Sequence, residues 1–255
     1  MANPLTPASL AGKRILVTGS SRGIGADTVS YFAEAGADVV INYRNKAARA
    51  EKLATSLREL GGRVLTVQAD LTDPASVDGM LDNIRAEYGG LDVLVLNASG
   101  GMESGMAEDY ALVLNRDSQL NLLTKALPLL SDGARVVFVT SHQAHFIKTV
   151  ETMPEYEVVA TSKRAGEDAL RDLIPTLAER GIKFVVVSGD MIEGTITATL
   201  LERANPGAID ERKSSAGRLY NVSEFAAEVA SAAVDAVPEN NTRYVGDTSY
   251  FTKGS

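Results

Sequence analysis

The chain has 255 residues, 45% hydrophobic and 23% charged, with a formal net charge of −8 at pH 7 and no cysteine. That balance is ordinary for a soluble globular protein, no apolar run approaches the roughly 20 residues of a membrane span, and an acidic surface argues against a nucleic-acid partner, whose phosphates need a basic face. Disulfides, thiolate metal sites and cysteine nucleophiles are excluded outright.

In chain order, apolar runs of strand length stand at 14–17, 38–41, 63–67, 93–96, 135–139, 183–187 and 242–245, and the segments between them carry a helical period. Runs of Val, Ile and Leu without polar alternation suit a sheet covered on both faces, and helical crossovers impose parallel pairing. The expected fold is α/β: a doubly wound, Rossmann-type, seven-stranded and mainly parallel sheet with helices on both faces, in one domain over residues 1–255. Gly36 and Gly61-Gly62 mark helix ends, and Asp73-Pro74 marks a helix start. Long helices are predicted over 106–130 and 154–180, with more apolar surface than one sheet face covers, so a homodimer or homotetramer is expected. Residues 204–217, with Pro206 and Gly207, form the least regular stretch, and a mobile substrate lid is expected around 195–217. The first ten residues carry no basic and apolar leader, which points to the cytoplasm.

The most specific signal is Thr18-Gly19-Ser20-Ser21-Arg22-Gly23-Ile24-Gly25, which follows a buried strand and opens a helix. Missing side chains let a backbone approach a pyrophosphate, and the first helical turn offers free N–H groups and a favourable dipole. After the second strand the chain reads Tyr43-Arg44-Asn45. The acidic residue that would accept from ribose hydroxyls is absent there, while Arg44, with Arg22 nearby, suits a 2′-phosphate. NADP(H) is therefore expected in preference to NAD(H). Asp70-Leu71 after the third strand and Asn97-Ala98-Ser99-Gly100 after the fourth fall where ligands of open α/β sheets bind.

Together these residues resemble the short-chain dehydrogenases/reductases, over nearly the whole chain. The spacing of Gly19, Gly23 and Gly25 is similar to that family's TGxxxGxG turn, Asp70 resembles its adenine-contacting aspartate, and residues 97–100 resemble its NNAG motif with Leu96 in the first place. The resemblance implies an NAD(P)-dependent oxidoreductase acting on CH–OH groups, with a small carbonyl or alcohol as substrate and no metal. It implies that Ser141 orients the carbonyl, that Lys163 holds the nicotinamide ribose and tunes the acid, and that Asn115 helps anchor a relay water. Gly189 and Thr195, after the sixth strand, fall where the family contacts the cofactor.

Two departures stand out. The family's acid is a tyrosine four residues before the lysine, and here that place is Val159; the nearest tyrosine is Tyr156, seven residues before Lys163. On a regular helix Tyr156 would share the face of Lys163 but lie about one turn too far away. A loop at Tyr156, or a tighter first turn, would bring it in, and Thr152-Met153-Pro154-Glu155 looks like a capping box that starts the helix there. Both histidines of the chain, His142 and His145, lie in the same lengthened segment and are alternative proton donors or pocket walls. No GxSxG elbow surrounds Ser141, which disfavours a hydrolase. The second departure is Ser188-Gly189-Asp190 where the family shows Pro-Gly, which puts a carboxylate close to the expected nicotinamide position. The leading expectation is a carbonyl reductase or alcohol dehydrogenase; the alternative, favoured by Val159, is a dinucleotide-binding regulator or scaffold that has lost efficient chemistry.

Overall fold

The computed structural model describes residues 2–103 and 105–252. Seven strands form one sheet: β1 (Arg14–Val17), β2 (Asp38–Tyr43), β3 (Val64–Gln68), β4 (Leu91–Leu96), β5 (Leu130–Ser141), β6 (Lys183–Gly189) and, last in the chain, Thr242–Val245. A separate pair of two-residue strands, β7 (Ile192–Glu193) and β8 (Tyr220–Asn221), makes the 242–245 strand β9. All pairings are parallel, in the order β3-β2-β1-β4-β5-β6-β9. All seven expected strands are present, several of them longer than their apolar runs.

Period-2 alternation explains the two covered faces. Ile15, Val17, Val39 and Ile41 point to one side, where they meet Val29 and Phe32 of helix α1 (Gly23–Glu34) and Phe225 and Val229 of a late helix over Val222–Ala232. Leu16, Val40, Leu94 and Val136 point to the other, against Met80 and Ile84 of the helix Pro74–Tyr88 and Leu122 and Leu123 of the helix Ser118–Ala126. The Asp73 carboxylate accepts from the Ala75 N–H with Pro74 in the first turn, as that dipeptide predicts. Gly36 and Gly61 take positive φ just past α1 and the helix α2 (Ala47–Arg58).

The two long predicted helices are broken. Residues 106–130 give a single turn (Tyr110–Leu112), a π turn (Val113–Asp117), the helix Ser118–Ala126 and a 3₁₀ turn over Leu127–Leu129, and Leu130 already belongs to β5. Residues 154–180 give a 3₁₀ turn (Pro154–Tyr156), the helix Glu157–Arg171 and a short helix, Ile174–Ala178. Pro128 and Pro175 lack the N–H a continuous helix needs, although the apolar period runs on through them. The supposedly irregular stretch is instead ordered into helices Ile196–Ala204 and Ala208–Ala216, because the Glu202 carboxylate accepts from the N–H groups of Gly207 (2.8 Å) and Ile209 (3.0 Å) and fixes the corner between them. Strand order reverses between β1 and β4, so the carboxyl ends of those strands open a crevice.

Candidate active site

A cavity of about 590 Å³ runs along that crevice, a size suited to a cofactor with a small substrate. At one end lies the glycine turn. Gly19 has φ +63° and donates its N–H to Asn42 Oδ1 at 3.0 Å. Gly25 is the tightest place: a Cβ there would lie 2.6 Å from Asn97 Nδ2 and 2.8 Å from the Gly19 carbonyl. The α1 N-terminus has no side-chain cap and no acidic residue in its first turn, so its N–H groups remain open toward the cavity. Thr18 clips the turn to β4, its Oγ1 accepting from the N–H groups of Asn97 (2.9 Å) and Ala98 (3.0 Å). Asn42, buried in β2, links the turn to β3 by donating to the Ala69 carbonyl. This polar residue inside an apolar strand was the signal that sequence reasoning passed over.

Of the residues expected to bind cofactor, Gly19, Ser21, Arg22, Gly23, Ile24, Gly25, Tyr43, Arg44, Asn45, Asn97, Ala98, Ser99, Lys163, Gly189 and Thr195 all line the cavity. Arg22 and Arg44 are joined there by Lys46 and Arg49 at the start of α2, two cations the sequence reading left out. Arg44 donates to the Tyr110 hydroxyl, and burial raises that phenol above its ordinary pKa despite the arginine beside it. Asp70, Leu71 and Gly100 lie outside the lining. The Asp70 carboxylate turns back on Thr72, accepting from its N–H (2.9 Å) and hydroxyl (2.7 Å); Leu71 is buried in the core; and Gly100 exchanges hydrogen bonds with the Asn115 amide.

At the other end stand Ser141, Tyr156 and Lys163. Ser141 ends β5, and its Oγ lies 3.3 Å from the Tyr156 hydroxyl. Tyr156 closes the 3₁₀ turn and stands at the N-cap of the helix that follows, with φ −112° and ψ −6°. A 3₁₀ turn rises about 2.0 Å per residue against 1.5 Å, so it brings the Tyr156 backbone no closer to Lys163 along the axis; the phenol meets Ser141 instead, in a cavity that Lys163 also lines. The capping box does not form: Thr152 gives its hydroxyl to Gln143 Oε1 instead. Val159, at the family's tyrosine position, is buried against the apolar cluster around Tyr156 and outside the cavity lining. Lys163 is 8% exposed and forms no ion pair among the described residues. Asn115 is buried in the π turn and does not reach the cavity; its amide nitrogen donates to the Gly100 carbonyl (2.8 Å) and to Ser162 Oγ (2.9 Å), next to Lys163.

The two histidines are placed differently, His142 in the cavity lining and His145 outside it. His142 is fully buried, its Nδ1 is 2.8 Å from Ser188 Oγ, and burial pushes its pKa down to about 3, so its ring is neutral at working pH. His145 is outside the cavity lining, held between the Glu167 carboxylate (2.9 Å) and the Tyr244 hydroxyl (3.1 Å). Burial opposes ionisation of Glu167, but hydrogen bonds from His145 and Arg171 hold it below the usual carboxylate range. Thr195 caps the helix Ile196–Ala204, its hydroxyl oxygen accepting from the Ala198 N–H at 3.1 Å. No group of three or more His, Cys, Asp and Glu that could hold a metal occurs among the described residues, nor is any of their helices long and apolar enough to cross a membrane.

The family model described as short chain dehydrogenase matches residues 13–205. The short chain dehydrogenase/reductase AacuN of Aspergillus aculeatus is 32% identical over 197 residues, which cover 75% of this chain and 72% of that protein. Among solved structures, a short chain dehydrogenase from Burkholderia cenocepacia J2315 in complex with NADP has a TM-score of 0.76 at 29% identity, over 93% of this chain and 97% of the other. The angucycline C-6 ketoreductase LanV with bound NADP has a TM-score of 0.73 at 28% identity, over 89% and 91% of the two chains. The strand order, the glycine turn and the match over three quarters of the sequence agree, and the chain belongs to the short-chain dehydrogenases/reductases, NAD(P)-binding oxidoreductases that act on CH–OH and carbonyl groups.

Proposed function

We propose that this protein is an NADP(H)-dependent carbonyl reductase, reversible as an alcohol dehydrogenase, with Ser141 and Tyr156 at its reacting end. The observation that carries the reading is the 3.3 Å approach of those two hydroxyls inside a cavity whose far end is an uncapped glycine turn. The residues fit a dinucleotide: the open first turn of α1 suits a pyrophosphate, and Arg22, Arg44, Lys46 and Arg49 would hold a 2′-phosphate. When bound, the nicotinamide supplies or accepts hydride. In reduction, Ser141 would donate a hydrogen bond to the substrate carbonyl oxygen, and Tyr156 would pass its proton to that oxygen; in oxidation both act in reverse. Lys163 would hold the ribose and offer a cation to the charge left on the phenol. Asn115 would act at a distance, steadying the helix that carries Lys163 through Ser162.

Of the apolar residues packed around Tyr156, Leu201 and Met191 line the cavity, with Ile192, Ile196 and Ala198 in the same wall. Such a surface suits a neutral, apolar ketone of variable outline, the reaction class that the name of LanV gives for that enzyme. Residues 195–217 would serve as its lid, on a single-domain protomer that pairs into a homodimer or homotetramer in the cytoplasm. The pairing surface would include Val158, 63% exposed on the helix Glu157–Arg171. Titration by nicotinamide fluorescence is expected to show NADPH binding at least about tenfold tighter than NADH, followed by turnover of neutral aromatic ketones. NADPH binding with no turnover across a broad ketone and alcohol panel would favour the regulator reading, and no binding of either cofactor at millimolar concentration would overturn both.

A further inference from the structure

Asp190 follows β6 directly and lines the cavity with its side chain only 4% exposed. A carboxylate so placed needs partners, and it has an unusually complete set. Oδ1 accepts from the Met191 N–H (2.8 Å) and from Arg212 Nε (2.8 Å), while Oδ2 accepts from Arg212 Nη2 (2.8 Å) and Nε (3.1 Å). Arg212 belongs to the second lid helix, Ala208–Ala216. Its Nη2 continues to the Asp247 carbonyl (3.0 Å) and carboxylate (3.2 Å), and its guanidinium lies 5.5 Å from the Phe251 ring centre. One forked cation thus ties together the end of β6, the lid and the segment after β9.

The lid helix has little else to hold it, since Ala208 is its only buried residue. A helix normally docks by an apolar face; this one is fastened by polar contacts, Glu202 at its start, the exposed Lys213–Glu193 pair, and Arg212 with Asp190 and Asp247, of which the Asp190 pair is the most buried. The same residue fixes the backbone at the start of the segment leading to Thr195: its N–H donates to the Val245 carbonyl at 3.0 Å, and its Oδ1 accepts from the Met191 N–H. The next lysine supplies an internal comparison: Lys213 pairs with Glu193 at 2.9 Å, but with side chains 50% and 35% exposed, where a pair contributes little.

We propose that Arg212 is a positioning residue: acting through Asp190, it latches the 195–217 lid over the nicotinamide end of the cavity and sets the rate at which the cofactor leaves. The inference rests on the NADP(H) reading above. Removing one partner of a buried, hydrogen-bonded pair acts mainly on dissociation. Stopped-flow displacement of NADPH from Arg212→Gln is therefore expected to be about tenfold faster than from the wild type, with Arg212→Lys between them and Lys213→Met within about twofold of wild type. In the cofactor-free proteins, amide exchange of residues 208–216 is expected to quicken in Arg212→Gln and not in Lys213→Met. A merely destabilising substitution would lower the melting temperature without singling out these two readouts. Release and exchange both unchanged in a folded Arg212→Gln would overturn the latch; exchange quickened with release unchanged would overturn its control of the cofactor; and Lys213→Met matching Arg212→Gln would overturn the assignment to the buried pair. Failure of wild-type protein to bind NADPH would strike the cofactor reading, and the exchange measurement would then decide the latch by itself.

Discussion

The two ends of the cavity are built in different ways. The cofactor end is made of backbone: a glycine turn, an open helix start and two clips, Thr18 and Asn42, that seat the turn against the neighbouring strands. The catalytic end is made of side chains brought from far apart, with Ser141 from a strand end, Tyr156 from a 3₁₀ turn, and Asp190 paired to Arg212 across 22 positions. Backbone sites are short-range and tolerate few substitutions at few places. Side-chain sites are long-range, so one group can be supplied from another position while the scaffold stays the same, the role proposed above for Tyr156.

That contrast can be broken from either side. The largest effect is expected at the cofactor end, where Gly25→Val must push the backbone away from Asn97 and the Gly19 carbonyl; NADPH affinity by fluorescence titration should fall at least about a hundredfold, near 3 kcal/mol. A variant that still binds would show that the turn is softer than its contacts imply. Acid should instead loosen the structure behind the other end, where His142 lines the cavity and His145 packs outside it. His142 has a native pKa near 3 against an ordinary 6.5, so the unfolded chain takes up a proton that the native state refuses. Its contribution is fully present above pH 6.5 and declines as pH falls toward 3, by about 2 kcal/mol between pH 7 and 5. Urea unfolding at those two pH values should show that loss in the wild type and a smaller one in His142→Asn; equal slopes would remove the histidine from the account. Glu167, held below its ordinary 4.5, adds a loss of the same sign in stronger acid. The smallest effect is expected at Arg44→Ala, which should weaken NADPH about tenfold while leaving NADH unchanged. Equal weakening of both would assign Arg44 to the Tyr110 contact alone.

How much could be read from the sequence follows the same division. The seven strands were legible because a sheet covered on both faces needs unbroken Val, Ile and Leu, and the glycine turn because no other residue suits its close approaches. The breaks at Pro128 and Pro175 were visible as residues, but the apolar period continued through them and hid the change of element. Lys46 and Arg49 belong to the start of a helix, where a cation reads as solvated surface until the fold turns it toward the cavity. β7 and β8 are too short to carry a period. The pairing of Asp190 with Arg212, like the retreat of Asp70 onto Thr72, depends on where chains cross and leaves no mark in local spacing. Tyr156 was named, but its approach to Ser141 was not, because that depends on how the 154–156 turn sits against the end of β5.

Tyr156, standing outside the usual spacing, is expected to give the proton beside Ser141. The direct test is single-turnover oxidation of enzyme-bound NADPH by a ketone substrate, comparing wild type with Tyr156→Phe at saturating cofactor. Loss of the acid should slow the chemical step by about two to four orders of magnitude with NADPH affinity unchanged. A Tyr156→Phe enzyme that turns over at the wild-type rate would contradict the account.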